Sequence, residues 1–344
     1  MEYSFLPNTN IKVSKICLGT MTFGHQNDVI ESEEQMDYAL EQGVNFFDTA
    51  ELYPVPASAE RYAVTEKIIG NWVKKKSVRD KIILATKIAG PGDYTKHIRT
   101  TGFSEKSLKE AVDGSLKRLK TDYIDLYQLH WPERSTNTFG QRGFKYVESD
   151  HWTENFEKIL HVLKKIIDSG KIRHVGLSNE NPWGVMKFLE LSKNNLPRMI
   201  TIQNPYSLLN RLFEVGNSEV CMRENIGLLA YSPLGFGVLS GKYLNGSLPE
   251  GSRLKLFPNL SRFAGQKSME ATEHYMKIAK KYGISLTHLA LSFVNSRPFV
   301  TSNIIGASKL DQLKENINSI NFDIDGDMIN DIEKVQSIIP NPAP

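Results

Sequence analysis

The sequence predicts an α/β fold, a (β/α)8 TIM barrel with an N-terminal β-hairpin and long βα loops. Three observations predict it: short apolar strands recur eight times, helical patterns separate them, and the strands end on polar or ionisable residues. Strands separated by helices need crossover connections and therefore pair in parallel. Eight such units suit a closed barrel, typically ~250 residues plus insertions, and 344 residues leave room for the insertions. A doubly wound open sheet is the alternative, but it leads one to expect G-x-G-x-x-G after the first strand. The chain has GTMTFG from Gly19 to Gly24, which lacks that spacing. No linker rich in Pro, Gly or Ser divides residues 1–344, so they read as one domain.

Each element follows from period and punctuation. EYSFLP and IKVS flank Asn8-Thr9-Asn10 as a hairpin. The strands are KICLG (15–19), NFFDT (45–49), KIILATK (81–87), YIDLYQLH (123–130), IRHVGLS (172–178), MITIQN (199–204), GLLAYS (227–232) and SNIIGA (302–307). Between them the helical patterns are SEEQMDYALEQG, the stretch 60–75, SEKSLKEAVDGSLKRLK, NFEKILHVLKKIIDSG, NPWGVMKFLELSK and a short one over 214–225. MEATEHYMKIAKKYG and SLTHLALSFVNSR follow the seventh strand, and KLDQLKENINSI follows the eighth. Gly43 and Gly170 stand where helix C-caps want glycine. The stretches 88–104 and 131–152 exceed the ~2–6 residues usual for βα connections, and 233–267 is irregular and rich in Gly, Pro and Ser.

Composition narrows the function. Hydrophobic residues make up 40% and charged residues 24%, as in a soluble globular chain, and the net charge is only +3. The basic cluster Lys74–Lys76 sits at a predicted helix end, where it complements the helix dipole, so no nucleic-acid tail is read there. No apolar run approaches the ~18 residues of a membrane span, and the N-terminus lacks a secretory pattern. Two isolated cysteines, Cys17 and Cys221, suggest a reducing, cytoplasmic setting and no CxxC metal or redox motif.

A barrel of this kind builds its site at the carboxyl ends of its strands. Those positions are Gly19-Thr20, Asp48, Lys87, His130, Ser178-Asn179, Gln203-Asn204, Tyr231-Ser232 and Gly306-Ala307-Ser308. Asp48, Tyr53, Lys87 and His130 together suggest acid–base chemistry. A phenol titrates near pH ~10; a nearby ammonium lowers that value, and Asp48 can hold Lys87 by an ion pair. Singly, Asp48 could cap a helix, Tyr53 could be a loop aromatic, Lys87 a solvated strand end and His130 a core histidine. Four at successive strand ends favour chemistry. Glu51, between Asp48 and Tyr53, receives no role.

The stretches GTMTFG, NFFDTAELY, ATK, DLYQLHWP, GKIRHVGLSN, IQNPYSLLNR, LAYSPLGFGVLSGKY and IIGASKLDQLKEN resemble, in order and over almost the whole chain, the signatures of the aldo-keto reductase superfamily. DTAELYPVP, HWPERSTNTFG and QNPYSLLNR resemble a bacterial subgroup of it, the Tas proteins. The resemblance implies metal-independent, NADP(H)-dependent reduction of a small-molecule aldehyde or ketone, with no obligate protein partner. Tyr53 would be the proton donor, Asp48 and Lys87 would tune its pKa, and His130 would position the carbonyl. Ser178, Asn179 and Gln203 would contact the nicotinamide carboxamide and Tyr231 would stack on the ring. Ser232, Leu234, Gly241 and Lys242 would hold the pyrophosphate, and Gly306, Ser308, Lys309, Gln312 and Asn316 the adenosine. Gly19, Thr20 and Met21 would lie near the nicotinamide half. Lys309 would supply a cation for a 2′-phosphate, and Gln312 and Asn316, at i and i+4, share a helix face.

The aromatics Trp131, Phe139, Phe144, Tyr146 and Trp152 could wall a substrate pocket or pack as a satellite cluster. Two other functions compete. Lys87 could form a Schiff base, as in aldolases on the same barrel, or the chain could be a nucleotide-binding regulatory subunit, since channel-associated β subunits share this fold and site.

Overall fold

The chain enters through an antiparallel hairpin, β1 (Tyr3–Phe5) and β2 (Lys12–Ser14), in which Tyr3 pairs with Ser14 and Phe5 with Lys12. The computed structural model describes residues 1–148, 150–259 and 261–344. Eight parallel strands then close into a barrel: β3 (Ile16–Gly19), β4 (Phe46–Asp48), β5 (Ile83–Ile88), β6 (Ile124–Leu129), β7 (Ile172–Ser178), β8 (Met199–Pro205), β9 (Gly227–Tyr231) and β10 (Val300–Ile305). Sequential strands are neighbours throughout, and β10 pairs with β3 to close the ring. This is the predicted (β/α)8 barrel.

The connecting helices are α1 (Val29–Glu41), α2 (Val64–Lys76), α3 (Glu105–Leu119), α4 (Phe156–Asp168), α5 (Pro182–Ser192) and α6 (Asn217–Glu224). Next come α7 (Arg253–Leu256), α8 (Gln266–Lys281), α9 (Leu286–Asn295), α10 (Leu310–Asn318) and α11 (Gly326–Ile338). The last, and the four-residue α7 inside 233–267, were not anticipated; four residues give α7 too little period to detect. Local chemistry sets the ends. Asp28 and Glu31 form a capping box on α1, and Ser104, Ser285 and Asp325 cap α3, α9 and α11. Gly43 and Gly170 adopt φ of 82° and 78°, the left-handed conformation that ends a helix. α2 starts at Val64, four residues later than the period suggested.

Side-chain alternation explains the barrel's interior. Cys17, Phe46, Ala85, Leu126, Ile200, Leu229 and Ile304 form one buried apolar cluster, with Leu6 and Val13 of the hairpin packed into it. In a strand the same face returns every second residue. Two positions beyond Phe46, Ala85 and Leu126 stand Asp48, Lys87 and Gln128, so a polar layer sits directly on the apolar one. The opposite face of each strand packs against the helices through residues such as Leu18, Phe47 and Leu84.

One helix contact leaves no room for a side chain. A Cβ on Gly70 of α2 would lie 2.1 Å from the Arg118 carbonyl oxygen of α3. Gly70→Ala should therefore force the two helices apart and cost about 1–3 kcal/mol, read as a lower midpoint in urea denaturation.

Candidate active site

The polar layer is organised around a buried cation. Lys87, fully excluded from solvent, donates to Asp48 Oδ2 at 2.6 Å and to the Thr49 carbonyl at 2.7 Å. Asp48 Oδ1 accepts from Gln203 Nε2 at 2.8 Å and from Gln128 Nε2 at 3.2 Å. The carboxylate is thus neutralised by one ion pair and saturated by two amides, the condition for keeping a charge buried. The Asp48 carbonyl accepts from the Thr20 hydroxyl at 2.8 Å, which joins the end of β3 to the same unit.

Tyr53 and His130 stand against this base. The Lys87 ammonium lies over the Tyr53 ring, 5.0 Å from its centroid, and the Tyr53 and His130 rings meet edge to face at 5.8 Å. Asp48, Tyr53, Lys87 and His130 are therefore brought together, from β4, the turn after it, β5 and the end of β6. Burial, then the Lys87 charge, holds His130 well below the ordinary imidazole range, so its ring is neutral, and its Nδ1 has no partner among the described residues. For Tyr53 the expected direction is reversed. Burial, then the Asp48 charge, pushes the phenol well up, with Arg253 opposing. Lys87 does not bring it down: its charge is compensated by Asp48, 2.6 Å away. The phenol is a protonated group across the neutral range.

A second group lines the arc from β7 to β10. Asn179, at φ 53°, donates from Nδ2 to the His130 carbonyl at 2.9 Å and accepts at Oδ1 from the Tyr231 hydroxyl at 2.6 Å. Ser178 donates to the Gln203 carbonyl at 2.8 Å. Tyr231 is only half-buried at its strand end. Beyond it, Ser232, Leu234, Gly241 and Lys242 lie on the segment after β9, and Gly241 adopts φ 80°, where a Cβ would lie 2.6 Å from the Met276 methyl. Lys242, Arg253 and Lys309 have no carboxylate partner among the described residues. Lys309 precedes α10 as its N-cap, with no side-chain cap on the helix's free amides.

Some expected contacts differ. Asn316 is buried, its amide 3.4 Å from the Gly306 carbonyl, while Gln312 accepts at Oε1 from the Ser308 amide at 3.1 Å; the two do not present equivalent amides outward. Thr20 is fully buried, Gly19 abuts Ile304, and Met21 packs beside Tyr53. The long-loop aromatics divide. Trp131 lies 4.9 Å from His130 and stacks on Tyr94 at 5.4 Å, with Phe139 edge-on at 6.0 Å. Trp152 instead joins Phe156 and Trp183 around Arg134, which forms a bidentate pair with Glu180. Phe144 and Tyr146 are exposed.

Sequence reasoning missed Gln128, Tyr94 and Arg253. Gln128 could have been found, since it is two residues before His130 on the inward row. Arg253, whose guanidinium lies 4.8 Å over the Phe236 ring, opens the four-residue α7, too short to leave a periodic signal. A cavity of about 580 Å³ opens at the opposite end of the barrel between the hairpin and the segments around Asn225 and Phe299. No charged side chain lines it, and it holds none of the groups above.

A closed parallel barrel with titratable residues gathered at the carboxyl ends of its strands defines the class: an enzyme-type (β/α)8 barrel. Residues 15–337 match the aldo/keto reductase family, and the chain belongs to that family. It is 46% identical to "Protein tas" of Escherichia coli K12, over the full length of both. It is also 33% identical to an uncharacterized oxidoreductase of Bacillus subtilis, covering 96% of each chain. An E. coli L-glyceraldehyde 3-phosphate reductase is 30% identical, over 93% of this chain and 88% of that one. The chain is thus an oxidoreductase of the aldo-keto type. Among the described residues no helix is long and apolar enough to cross a membrane.

Two outcomes follow from the buried charges. Asp48→Asn strands the Lys87 cation and should cost about 3–5 kcal/mol; Asp48→Asn/Lys87→Met, which removes both charges, should recover part of that loss in urea unfolding. His130 binds its proton more weakly folded than unfolded. Its contribution is therefore intact above pH ~6.5 and is lost as pH falls below that unfolded value. His130→Asn should flatten the acid side of the stability–pH curve relative to the wild type.

Proposed function

We propose that the protein reduces an aldehyde or ketone to the alcohol with NADP(H). The observation that supports this most is a protonated, buried phenol and a neutral imidazole placed together on a compensated Lys87–Asp48 pair. Tyr53 gives its hydroxyl proton to the carbonyl oxygen. The phenolate left behind is favoured by the Arg253 charge, which opposes the burial that holds the proton at rest. His130, uncharged, offers an N–H to the same oxygen and fixes its approach. Trp131, with Tyr94 and Phe139 packed on it, walls the His130 side of the site.

The cofactor fits the chemistry of the donor set. Tyr231 offers an aromatic face; Lys242 and Arg253, cations without carboxylate partners, suit a diphosphate held by Ser232, Leu234 and Gly241. The uncapped start of α10 with Lys309 suits a further phosphate, as in NADP, and anions are favoured at such helix ends. Ser178, Asn179 and Gln203 would hold the carboxamide, Gly306, Ser308, Gln312 and Asn316 the adenosine, and Gly19, Thr20 and Met21 the nicotinamide side. When bound there, the cofactor supplies the hydride that arrives at the carbonyl carbon. The free, unbridged Cys17 and Cys221 suit a cytoplasmic setting. The name of the glyceraldehyde-phosphate reductase relative agrees with an aldehyde substrate.

The test is NADPH oxidation against a panel of aldehydes, ketones and quinones. The wild type should turn over at least one class. Tyr53→Phe should lose ~10²-fold or more of kcat, the scale of a general acid, while still binding NADPH. Full activity in Tyr53→Phe removes Tyr53 from the mechanism.

A further inference from the structure

Glu51 takes no part in the chemistry above, yet it is fully buried and both its oxygens are engaged. Oε1 accepts from the Ala89 amide at 2.6 Å and from Arg99 Nη1; Oε2 accepts from Arg99 Nη2 at 2.8 Å and from the Tyr62 hydroxyl at 3.4 Å. Its own amide donates to the Lys87 carbonyl at 3.2 Å. The Thr49 amide likewise donates to the Ala85 carbonyl at 2.9 Å, so main-chain pairing with β5 continues beyond Asp48. The Glu51 carboxylate then captures the next free amide, that of Ala89. Glu51 also lies inside the turn closed by the Tyr53 amide on the Ala50 carbonyl at 3.1 Å. One residue thereby fixes the Tyr53 turn against the strand end that carries Lys87.

Arg99 extends this to the substrate side. It lies in the long loop after β5, and its Nη1 also donates to the Ala89 carbonyl at 3.3 Å. Tyr94 of that loop stacks on Trp131, whose indole N–H donates to the Pro91 carbonyl at 2.9 Å, and Trp131 abuts His130. A bidentate pair between planar partners resists sliding as well as separation. We infer that Glu51, clamped by Arg99, is a positioning residue that sets Tyr53 relative to Lys87 and latches the Tyr94–Trp131 wall beside His130. The inference rests on Tyr53 being the proton donor.

Glu51→Gln and Arg99→Met, in the full chain, test it through kcat at saturating NADPH, NADPH affinity by fluorescence, and thermal midpoint. Displacing a reacting group by about 1 Å costs on the order of 10²-fold. Each variant should therefore lose ~10- to 100-fold in kcat while its NADPH dissociation constant stays within about twofold. The double variant should be no slower than the worse single, because the two groups act as one unit. Arg99→Lys, which keeps charge but not the fork, should recover only part. Variants that keep full kcat, or that lose kcat and NADPH affinity together, overturn the inference. So do additive losses. If Glu51→Gln fails to fold, Arg99→Met carries the same reading from the loop side. An inactive Tyr53→Phe beside an active Glu51→Gln sinks the latch alone; a wild type inert with every carbonyl sinks the functional reading as well.

Discussion

The Lys87–Asp48 ion pair is the constraint on which the rest of the rim depends. A cation fully inside a barrel is tolerable only if it is paired and hydrogen-bonded, and the surrounding residues meet that need in turn. Asp48 compensates Lys87; Gln128 and Gln203 saturate Asp48; Thr20 and Thr49 tie the neighbouring main chain to the same pair. Residues from five strand ends are thereby committed to one charge centre. Tyr53 and His130 are placed relative to that centre and inherit its electrostatics: the phenol stays protonated and the imidazole stays neutral.

This arrangement separates positioning from titration. Lys87 does not depress the resting phenol, as simple proximity suggests, because its charge is already spent on Asp48. Its value lies in placement: its ammonium, 5.0 Å from the Tyr53 ring centroid, holds Asp48 and the Thr49 carbonyl beside that ring. A donor that is firmly protonated at rest is present in its proton-bearing form across the neutral range.

Much of this was legible in the sequence, for identifiable reasons. Eight strand–helix alternations pointed to the barrel, and the strand count put Asp48 and Lys87 at strand ends; the structure sets them two residues above the apolar layer of Phe46 and Ala85. The residues that close the site were less visible. Arg253 and Tyr94 lie in long irregular segments, and Glu51 looked idle because its partner Arg99 is forty-eight positions away on such a loop. Gln312 and Asn316 share a helix face by spacing, yet capping of Ser308 and burial against Gly306 occupy them differently. Tertiary contacts of long separation leave no local pattern to read.

The central claim is that the Tyr53–His130 corner receives the carbonyl beside a nicotinamide resting on Tyr231. A crystal structure of the complex with NADP and a carbonyl inhibitor tests it most directly. The account predicts the nicotinamide ring against Tyr231 and the inhibitor oxygen within hydrogen-bond reach of both the Tyr53 hydroxyl and a His130 ring nitrogen. A nicotinamide bound away from Tyr231, or an inhibitor oxygen directed at Lys87 in place of Tyr53, would contradict it.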